Sequence, residues 1–301
     1  MGGVPPTKRP SWRGAAFLAG ARPRTLPAAV SPVLVGGGLA IGDKAFRLDA
    51  FLAALLASVA IQVAANYAND VSDARRGADS ADRVGPPRMV ASGVIDPRWM
   101  WWATAAALTV AGLAGAYLYT LVGWPVIVIG LASVLAMLTY VGGPIPYGYR
   151  GLGEVAVFVF FGLVATVGSR MVHDGSAPGS SYLLGIPMGL FAAAILVANN
   201  LRDIHTDGRA GKRTLAVMIG EPRTRRLYQL IIGTSFGCIA AFAAADWTPL
   251  PTAIACFWLP LAAPLLRTAS GAQSADLIPL LKGTVRLQLV VAMSLAAGAA
   301  L

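Results

Sequence analysis

Charged residues are scarce in this chain of 301 residues, and so are cysteine and histidine. Only 13% of the residues are charged while 56% are hydrophobic, and the mean hydropathy is +0.65. This composition excludes an ordinary water-soluble domain and indicates a protein that crosses a membrane several times. The two cysteines, Cys238 and Cys256, lack the spacing of a zinc site or a disulfide framework, so we interpret them as small buried side chains.

Long apolar runs recur along nearly the whole sequence. About 20 apolar residues are needed to cross a hydrocarbon layer of roughly 30 Å. The runs lack the alternation of barrel strands, and a segment in lipid must satisfy its own backbone hydrogen bonds, so the predicted fold class is all-α. We predict one bundle of nine transmembrane helices, at residues 25–41, 50–69, 100–119, 124–141, 153–172, 182–199, 227–245, 250–266 and 279–301.

No stretch rich in proline, glycine or serine divides the chain into two cores. We therefore predict a cytoplasmic N-terminal tail, residues 1–24, followed by a single transmembrane domain, residues 25–301. Arg22 and Arg24 follow the first short apolar patch, and no cleavage site is evident, so this segment is interpreted as a tail and anchor rather than a removed signal peptide.

The net charge of +10 does not indicate nucleic-acid binding, because the basic residues form no single stripe and instead sort by loop. All but three of them, Lys44, Arg47 and Arg170, lie on the predicted side that holds the N-terminus. The positive-inside rule makes that side cytoplasmic and puts the C-terminus outside. The expected location is a bacterial plasma membrane, with the loops after helices two and six forming a cytoplasmic cap.

Two acidic clusters stand at the cytoplasmic ends of predicted helices two and six, although the chain has only 14 acidic residues. Residues three or four apart share one helix face, so each cluster offers two carboxylates and one amide to a common point. Oxygen ligands of this kind suit Mg²⁺, whereas solvated helix ends are the plainer alternative. The clusters are Asn66, Asp70 and Asp73, and Asn199, Asp203 and Asp207.

Basic residues follow both clusters, which is the composition that a diphosphate held with Mg²⁺ requires, although the positive-inside rule alone explains part of it. Lys212 is the strongest single candidate, because the chain has few lysines. The segment 140–154 is rich in glycine, proline and tyrosine and is predicted to form a tight turn. Glu154 begins predicted helix five, and ordinary interfacial composition does not explain an acidic residue there so close to lipid.

Six stretches of the sequence are similar to those of a known family. They are residues 21–27 (ARPRTLP), 66–73 (NYANDVSD), 82–86 (DRVGP), 151–154 (GLGE), 200–203 (NLRD) and 211–216 (GKRTLA). In these stretches the chain resembles the UbiA-type intramembrane prenyltransferases, and within them the MenA-type 1,4-dihydroxy-2-naphthoate polyprenyltransferases. The resemblance extends over nearly the whole chain and is weakest before residue 20 and across the last three predicted helices. One departure is Gly77, where many relatives carry a third aspartate.

The resemblance implies a lateral opening to lipid and Mg²⁺-dependent transfer of a polyprenyl group from its diphosphate to dihydroxynaphthoate. Diphosphate and CO₂ are lost and demethylmenaquinone is formed. The residues assigned to the metal are Asn66, Asp70, Asp73, Asp79, Asp203 and Asp207, and the four aspartates of the clusters are also the catalytic candidates. The residues assigned to the diphosphate are Arg22, Arg83, Asn199 and Lys212, and those near the acceptor or the cation are Tyr140, Arg150 and Glu154.

Two alternatives stay open on the sequence. Intramembrane acids also mark secondary transporters, although here the clusters lie at one surface and the middles of helices two and six are apolar around Val59 and Leu190. The other alternative is a relative acting on a different aromatic acceptor, such as hydroxybenzoate, homogentisate or haem.

Overall fold

The computed structural model describes residues 13–77, 85, 88–144 and 146–301. Within these residues the fold is all-helical, with no β-strand and a single isolated bridge between Arg150 and Arg213. The helices are α1 (Arg13–Ala21), α2 (Pro27–Gly42), α3 (Leu48–Arg75), α4 (Pro97–Val122), α5 (Pro125–Val141), α6 (Gly153–Met171), α7 (Gly179–Arg209), α8 (Leu215–Ile219), α9 (Glu221–Ala244), α10 (Leu250–Gly271) and α11 (Ser274–Ala299).

Each predicted transmembrane run corresponds to a helix, but the described helices differ in length. Seven are long and apolar enough to cross a membrane, and the bent pair Gly14–Thr25 and Pro27–Gly42, with a 53° angle between them, provides an eighth. The remaining run, α5, is an apolar helix of 17 residues. The described structure therefore supports an all-helical bundle of seven or eight spans, and nine crossings stay a prediction that depends on α5.

Helix α3 and helix α7 extend further toward the acidic clusters than expected. Helix α3 continues through Asp70 and Asp73, and α7 continues through Asp203 and Asp207. The predicted loop after the sixth transmembrane run is mostly helical, because α7 continues to Arg209 and the short helix α8 and the start of α9 follow. The carboxylates therefore project from the last turns of two long helices, as the helical spacing of the clusters predicts.

Local sequence signals explain where α4 and α5 begin. The Asp96 side chain accepts a hydrogen bond of 2.8 Å from the backbone N–H of Arg98, and Pro97 occupies the first helical turn of α4. Gly123 ends α4 with a φ of 76°, a left-handed conformation that a residue with a Cβ rarely adopts. The next helix starts at Pro125, so α4 and α5 form a tight antiparallel pair.

Helix α7 is the central element of the bundle. It packs against α6, α9 and α11, while α3 packs mainly against α4, and α2 packs against α11 and α6. Large apolar side chains such as Leu113, Leu131 and Phe257 are exposed on the outer surface, as expected of a surface that contacts lipid. Close approach of the helices inside the bundle depends on small residues, because lipid supplies little hydrophobic drive for helix association.

Glycines bring α6 and α7 into direct backbone contact. A Cβ added to Gly162 would overlap the Cα of Gly189, and one added to Gly189 would overlap the carbonyl oxygen of Phe158. Residues Phe158–Val164 of α6 form a π-helical segment at this contact. The close packing fixes the segment of α6 that follows Glu154.

The three cations predicted to lie on the outer side are at the opposite end of the bundle from the acidic clusters. The buried Arg170 guanidinium binds Asp43 at 2.7 Å and Asp174 at 2.7 Å, and it holds the pKa of Asp174 below its ordinary value. Arg47 pairs with Asp49 at 2.8 Å. These pairs neutralise the charges of Arg170 and Arg47.

We expect Gly162→Ala to lower the melting temperature of the purified protein, because overpacking of a close backbone contact costs about 1–3 kcal/mol. Melting in detergent, followed by intrinsic fluorescence, measures the effect. Gly112→Ala is the matched control, since a Cβ on Gly112 of α4 meets no atom within 4 Å. Equal melting of the two variants would show that the α6–α7 contact relaxes freely.

Candidate functional site

A cavity of about 380 Å³ lies between α3, α5, α6 and α7. One face of α3 lines it along most of the helix, with contributions recurring every three or four residues from Ala54 to Asp73. Nineteen residues of helix rise by about 28 Å, so the cavity is long and narrow. Its lining is mainly apolar and includes Phe160 and Phe161 from the π-helical segment.

Most of the polar and charged side chains that line the cavity lie at its end near the acidic clusters, and isolated ones lie further along it. Cations, amides and one carboxylate meet there, which are groups that bind phosphate oxygens or a hard metal ion. A ligand with an anionic head and a long apolar tail matches this distribution. The polar lining at this end comprises Arg22, Asn66, Asn69, Asp73, Arg88, Asn199, Asn200 and Lys212.

The first acidic cluster is held in place by residues that follow it in the chain. Asp73 accepts a hydrogen bond of 2.7 Å from Arg88 Nη2 and another of 2.8 Å from the Tyr149 hydroxyl. Asp70 accepts the backbone N–H groups of Met89 and Val90 at 3.0 and 3.2 Å. Asp70 therefore fixes the turn after the cluster, and of the two carboxylates only that of Asp73 lines the cavity.

The second cluster has an ion pair that its spacing does not reveal. The Arg202 guanidinium binds both carboxylate oxygens of its neighbour Asp203, at 2.7 and 2.6 Å, and also donates to Asn199 Oδ1 at 2.9 Å. Asp207 lies 3.8 Å from Lys212 Nζ, and its carbonyl oxygen accepts the backbone N–H of Lys212 at 2.9 Å. Asn199 and Lys212 line the cavity, whereas Asp203 and Asp207 are not among the residues that line it.

Tyr149 connects the two clusters, although no role for it is predicted from the sequence. Its hydroxyl donates to Asp73, while Lys212 Nζ lies 5.2 Å and Arg76 Cζ 5.5 Å from the centre of its ring. Cations over an aromatic face are attracted to it. The link runs from Asp73 through Tyr149 and Lys212 to Asp207, and the density of tyrosines in the segment 140–154 was the only signal that could have indicated it.

The phenols of this segment stay protonated near neutral pH. Burial raises the pKa of Tyr147 to about 12. Burial, together with the neighbouring Asp73 carboxylate, also raises the pKa of Tyr149. Because Tyr149 keeps its proton, it acts as a hydrogen-bond donor to the Asp73 carboxylate.

The three residues expected near an acceptor or a cation occupy different places. Tyr140 lines the cavity, and its ring packs edge-on against Tyr147 with 5.4 Å between centres. Glu154 is buried, and its Oε1 accepts a hydrogen bond of 2.9 Å from Asn200 Nδ2. Arg150 is exposed and is not among the residues that line the cavity.

Asp79 and Arg83, predicted to bind the metal and the diphosphate, lie outside the described residues. Across the described ranges, no three Asp, Glu, His or Cys residues come together as a complete metal site. The donors nevertheless fit Mg²⁺, which commonly takes one or two carboxylates and completes its shell with phosphate and water. Asp73 supplies such a carboxylate beside Asn69, whose buried Oδ1 has no hydrogen-bond donor in the described structure.

Residues 29–297 match the model of the UbiA prenyltransferase family. The chain is 40% identical over 284 residues to the 1,4-dihydroxy-2-naphthoate octaprenyltransferase of Mycobacterium leprae (strain TN), which covers 94% of this chain and 95% of that protein. The Escherichia coli (strain K12) protein of the same name is 37% identical over 238 residues, covering 76% and 77%.

Among solved structures, a UbiA homolog from Archaeoglobus fulgidus bound to DMAPP and Mg²⁺ has a similar fold. The TM-score is 0.69 at 16% identity, over 94% of this chain and 97% of that chain. At this low identity the likeness shows a shared fold, while the sequence relatives provide the closer comparison.

We expect Arg202→Met to destabilise the protein by about 3–5 kcal/mol, because the buried Asp203 loses its bidentate ion pair. Thermal unfolding in detergent measures the loss. Arg226→Met serves as the matched control, since Arg226 is an exposed arginine a short distance along the chain. Unchanged melting of Arg202→Met would contradict a stabilising role for the pair.

Proposed function

The chain belongs to the UbiA prenyltransferase family, and we propose that it transfers a polyprenyl group from polyprenyl diphosphate to 1,4-dihydroxy-2-naphthoate in menaquinone synthesis. Diphosphate and CO₂ leave, and demethylmenaquinone forms in its reduced, quinol state. The observation that best supports this proposal is the cavity, which is charged and polar at one end and apolar along most of a length of about 28 Å. The name shared by relatives that are 37–40% identical supports the choice of acceptor.

We further propose an integral membrane protein of nine crossings, α5 among them, with a single transmembrane domain over residues 25–301. The bias of lysine and arginine toward one end supports a cytoplasmic N-terminus, a cytoplasmic active site capped by the segments after α3 and α7, and an outer C-terminus. Helix α5 packs against α3 and α4 and makes little contact with α6, although both line the cavity. This supports a lateral opening between α5 and α6 through which the polyprenyl chain reaches lipid.

The diphosphate would bind at the polar end of the cavity. Arg22, Asn199 and Lys212 line that end and supply donors to phosphate oxygens, and Arg83 is proposed to join them. Asp73 and Asn69 would hold Mg²⁺ from α3. Asn66, Asp70, Asp203 and Asp207, together with Asp79 from outside the described residues, are proposed as further ligands. When bound, Mg²⁺ neutralises charge that develops on the departing diphosphate.

The chain's own residues then determine the course of the reaction. Arg22 and Lys212 stabilise negative charge on the leaving group, while the buried pairs around them hold their positions. Loss of diphosphate creates an allylic cation, and the faces of Tyr140, Phe160 and Phe161 on the cavity wall favour positive charge. The apolar lining excludes water, which would otherwise capture the cation before the naphthol ring attacks.

The acceptor ring would lie beside the cation, close to Glu154. The Glu154 carboxylate is buried, with Asn200 on one oxygen, and its other oxygen, Oε2, has no hydrogen-bond donor among the described residues. Such a group is suited to receive a proton or a hydroxyl hydrogen bond. Arg150 is retained as a weaker candidate, because its side chain is exposed.

We expect Asp73→Asn to reduce kcat/KM for prenyl transfer at least 100-fold, because the charge that faces the cavity is lost while the side-chain size is kept. Asp70→Ala and Asp203→Ala should likewise abolish Mg²⁺-dependent transfer. The assay is product formation from geranylgeranyl diphosphate in detergent micelles. Asp49→Asn, which alters an exposed carboxylate at the other end of α3, is the control and should keep its activity. Near-normal activity of Asp73→Asn would contradict the proposed role.

An acceptor panel tests the proposed substrate. Purified protein with MgCl₂ and one prenyl diphosphate is supplied in turn with dihydroxynaphthoate, 4-hydroxybenzoate and homogentisate. We expect dihydroxynaphthoate to be prenylated with a kcat/KM at least tenfold above the others. Preference for another acceptor would keep the prenyltransferase activity and replace the substrate, whereas no product with any acceptor would reopen the transporter alternative.

A further inference from the structure

Gln62 is a polar side chain near the middle of α3, where the three residues on either side of it in the chain, 59–61 and 63–65, are apolar. It is followed by 13 residues of the same helix, up to Arg75. A glutamine at this depth is costly in a membrane protein unless its polar atoms find partners. The amide therefore needs a structural or a functional explanation.

The structure provides no partner for the carbonyl oxygen of Gln62. This atom, Oε1, is buried and accepts no hydrogen bond from any residue in the described ranges. Polar residues in membrane helices often join neighbouring helices, as Ser58 does by donating to the carbonyl oxygen of Ala29 at 2.9 Å. Gln62 forms no such link through Oε1, so helix association does not account for it.

The position of Gln62 points to a ligand instead. It lines the same cavity as Asn66 and Asn69 and lies on the same face of α3, one turn below Asn66. With a rise of 1.5 Å per residue, it is about 6 Å below Asn66 and about 10 Å below Asn69. This level is beyond the polar end where a diphosphate would bind, and next to the first part of the attached apolar chain.

The chemistry of a carbonyl oxygen restricts which groups can pair with Gln62 Oε1. A carbonyl oxygen requires a donor, and the polyprenyl chain is a hydrocarbon with none. A buried water would need two to four polar partners. The polar cavity residues one turn from Gln62 on α3, Ser58 and Asn66, already donate to the carbonyl oxygens of Ala29 and Ala21. A phenolic hydroxyl on an aromatic ring is a donor that fits an apolar surrounding, because the ring itself is apolar.

Resting on the proposed function, we propose that Gln62 is a positioning residue that accepts a hydrogen bond from a phenolic hydroxyl of the aromatic acceptor. The bond would orient the ring next to the allylic carbon, below the diphosphate. It would also favour hydroxylated acceptors, since an acceptor without that hydroxyl leaves the buried carbonyl oxygen unpaired.

The test compares Gln62→Met, which keeps the side-chain length and removes the amide, with the unchanged protein. We expect the KM for dihydroxynaphthoate to rise about five- to tenfold, the range expected for one neutral hydrogen bond. The KM for geranylgeranyl diphosphate should not change. The inhibition constant of 2-naphthoate, which has no hydroxyl group, should also stay the same in the two proteins.

Gln288→Met is the matched control, because Gln288 also carries a buried carbonyl oxygen without a donor in the described structure but does not line this cavity. It should keep the acceptor KM. Equal weakening of dihydroxynaphthoate and 2-naphthoate by Gln62→Met, or an effect confined to geranylgeranyl diphosphate, would overturn the inference. If Gln62→Met does not fold, Gln62→Leu replaces it.

If neither variant folds, inhibition constants measured with the unchanged protein provide the test. Equal binding of 2-naphthoate, 1-hydroxy-2-naphthoate and 4-hydroxy-2-naphthoate would overturn the inference, and tighter binding of a hydroxylated compound would support it. Failure of the unchanged protein to prenylate dihydroxynaphthoate at all would instead refute the proposed function.

Discussion

Four buried carboxylates at the ends of two long helices impose the main constraint on this structure. Asp70, Asp73, Asp203 and Asp207 are each no more than 6% exposed. A buried charge costs several kcal/mol unless it is paired and hydrogen-bonded. The turn after α3, the segment between α5 and α6, and the turn after α7 all supply partners to these groups. This end of the bundle is therefore organised around its carboxylates.

The same constraint explains why the cavity changes character along its length. Partners for the carboxylates are themselves cationic or amide groups, so charge and hydrogen-bonding capacity collect at one end. Toward the other end, α3 presents mainly alanine and isoleucine to the cavity, and α6 presents aromatic side chains. A polyprenyl diphosphate has this distribution of polarity, and the membrane location lets its apolar part continue into lipid.

Much of the site was predictable because it depends on residue type and helical spacing. Asn66, Asp73, Asn199 and Lys212 were assigned from the sequence and line the cavity. Helical spacing alone predicts the same metal-binding role for all four carboxylates. In the structure, Asp70 instead accepts hydrogen bonds from a backbone turn, and Asp203 forms an ion pair with its neighbour Arg202. An arginine can reach the residue beside it because its side chain is long and flexible, and no periodicity reports that contact.

The sequence by itself determined the class of fold, the positions of the apolar helices and the two clusters, because hydrophobic length and a three-to-four residue spacing are local properties. The tertiary structure alone decided that Tyr149 connects the clusters and that Glu154 meets Asn200. It also decided that Gln62 lines the cavity with a carbonyl oxygen that has no partner among the described residues. These features depend on how helices distant in the chain pack together. Packing is settled by the close approach of glycines and by the pairing of buried charges, and neither can be read from one segment in isolation.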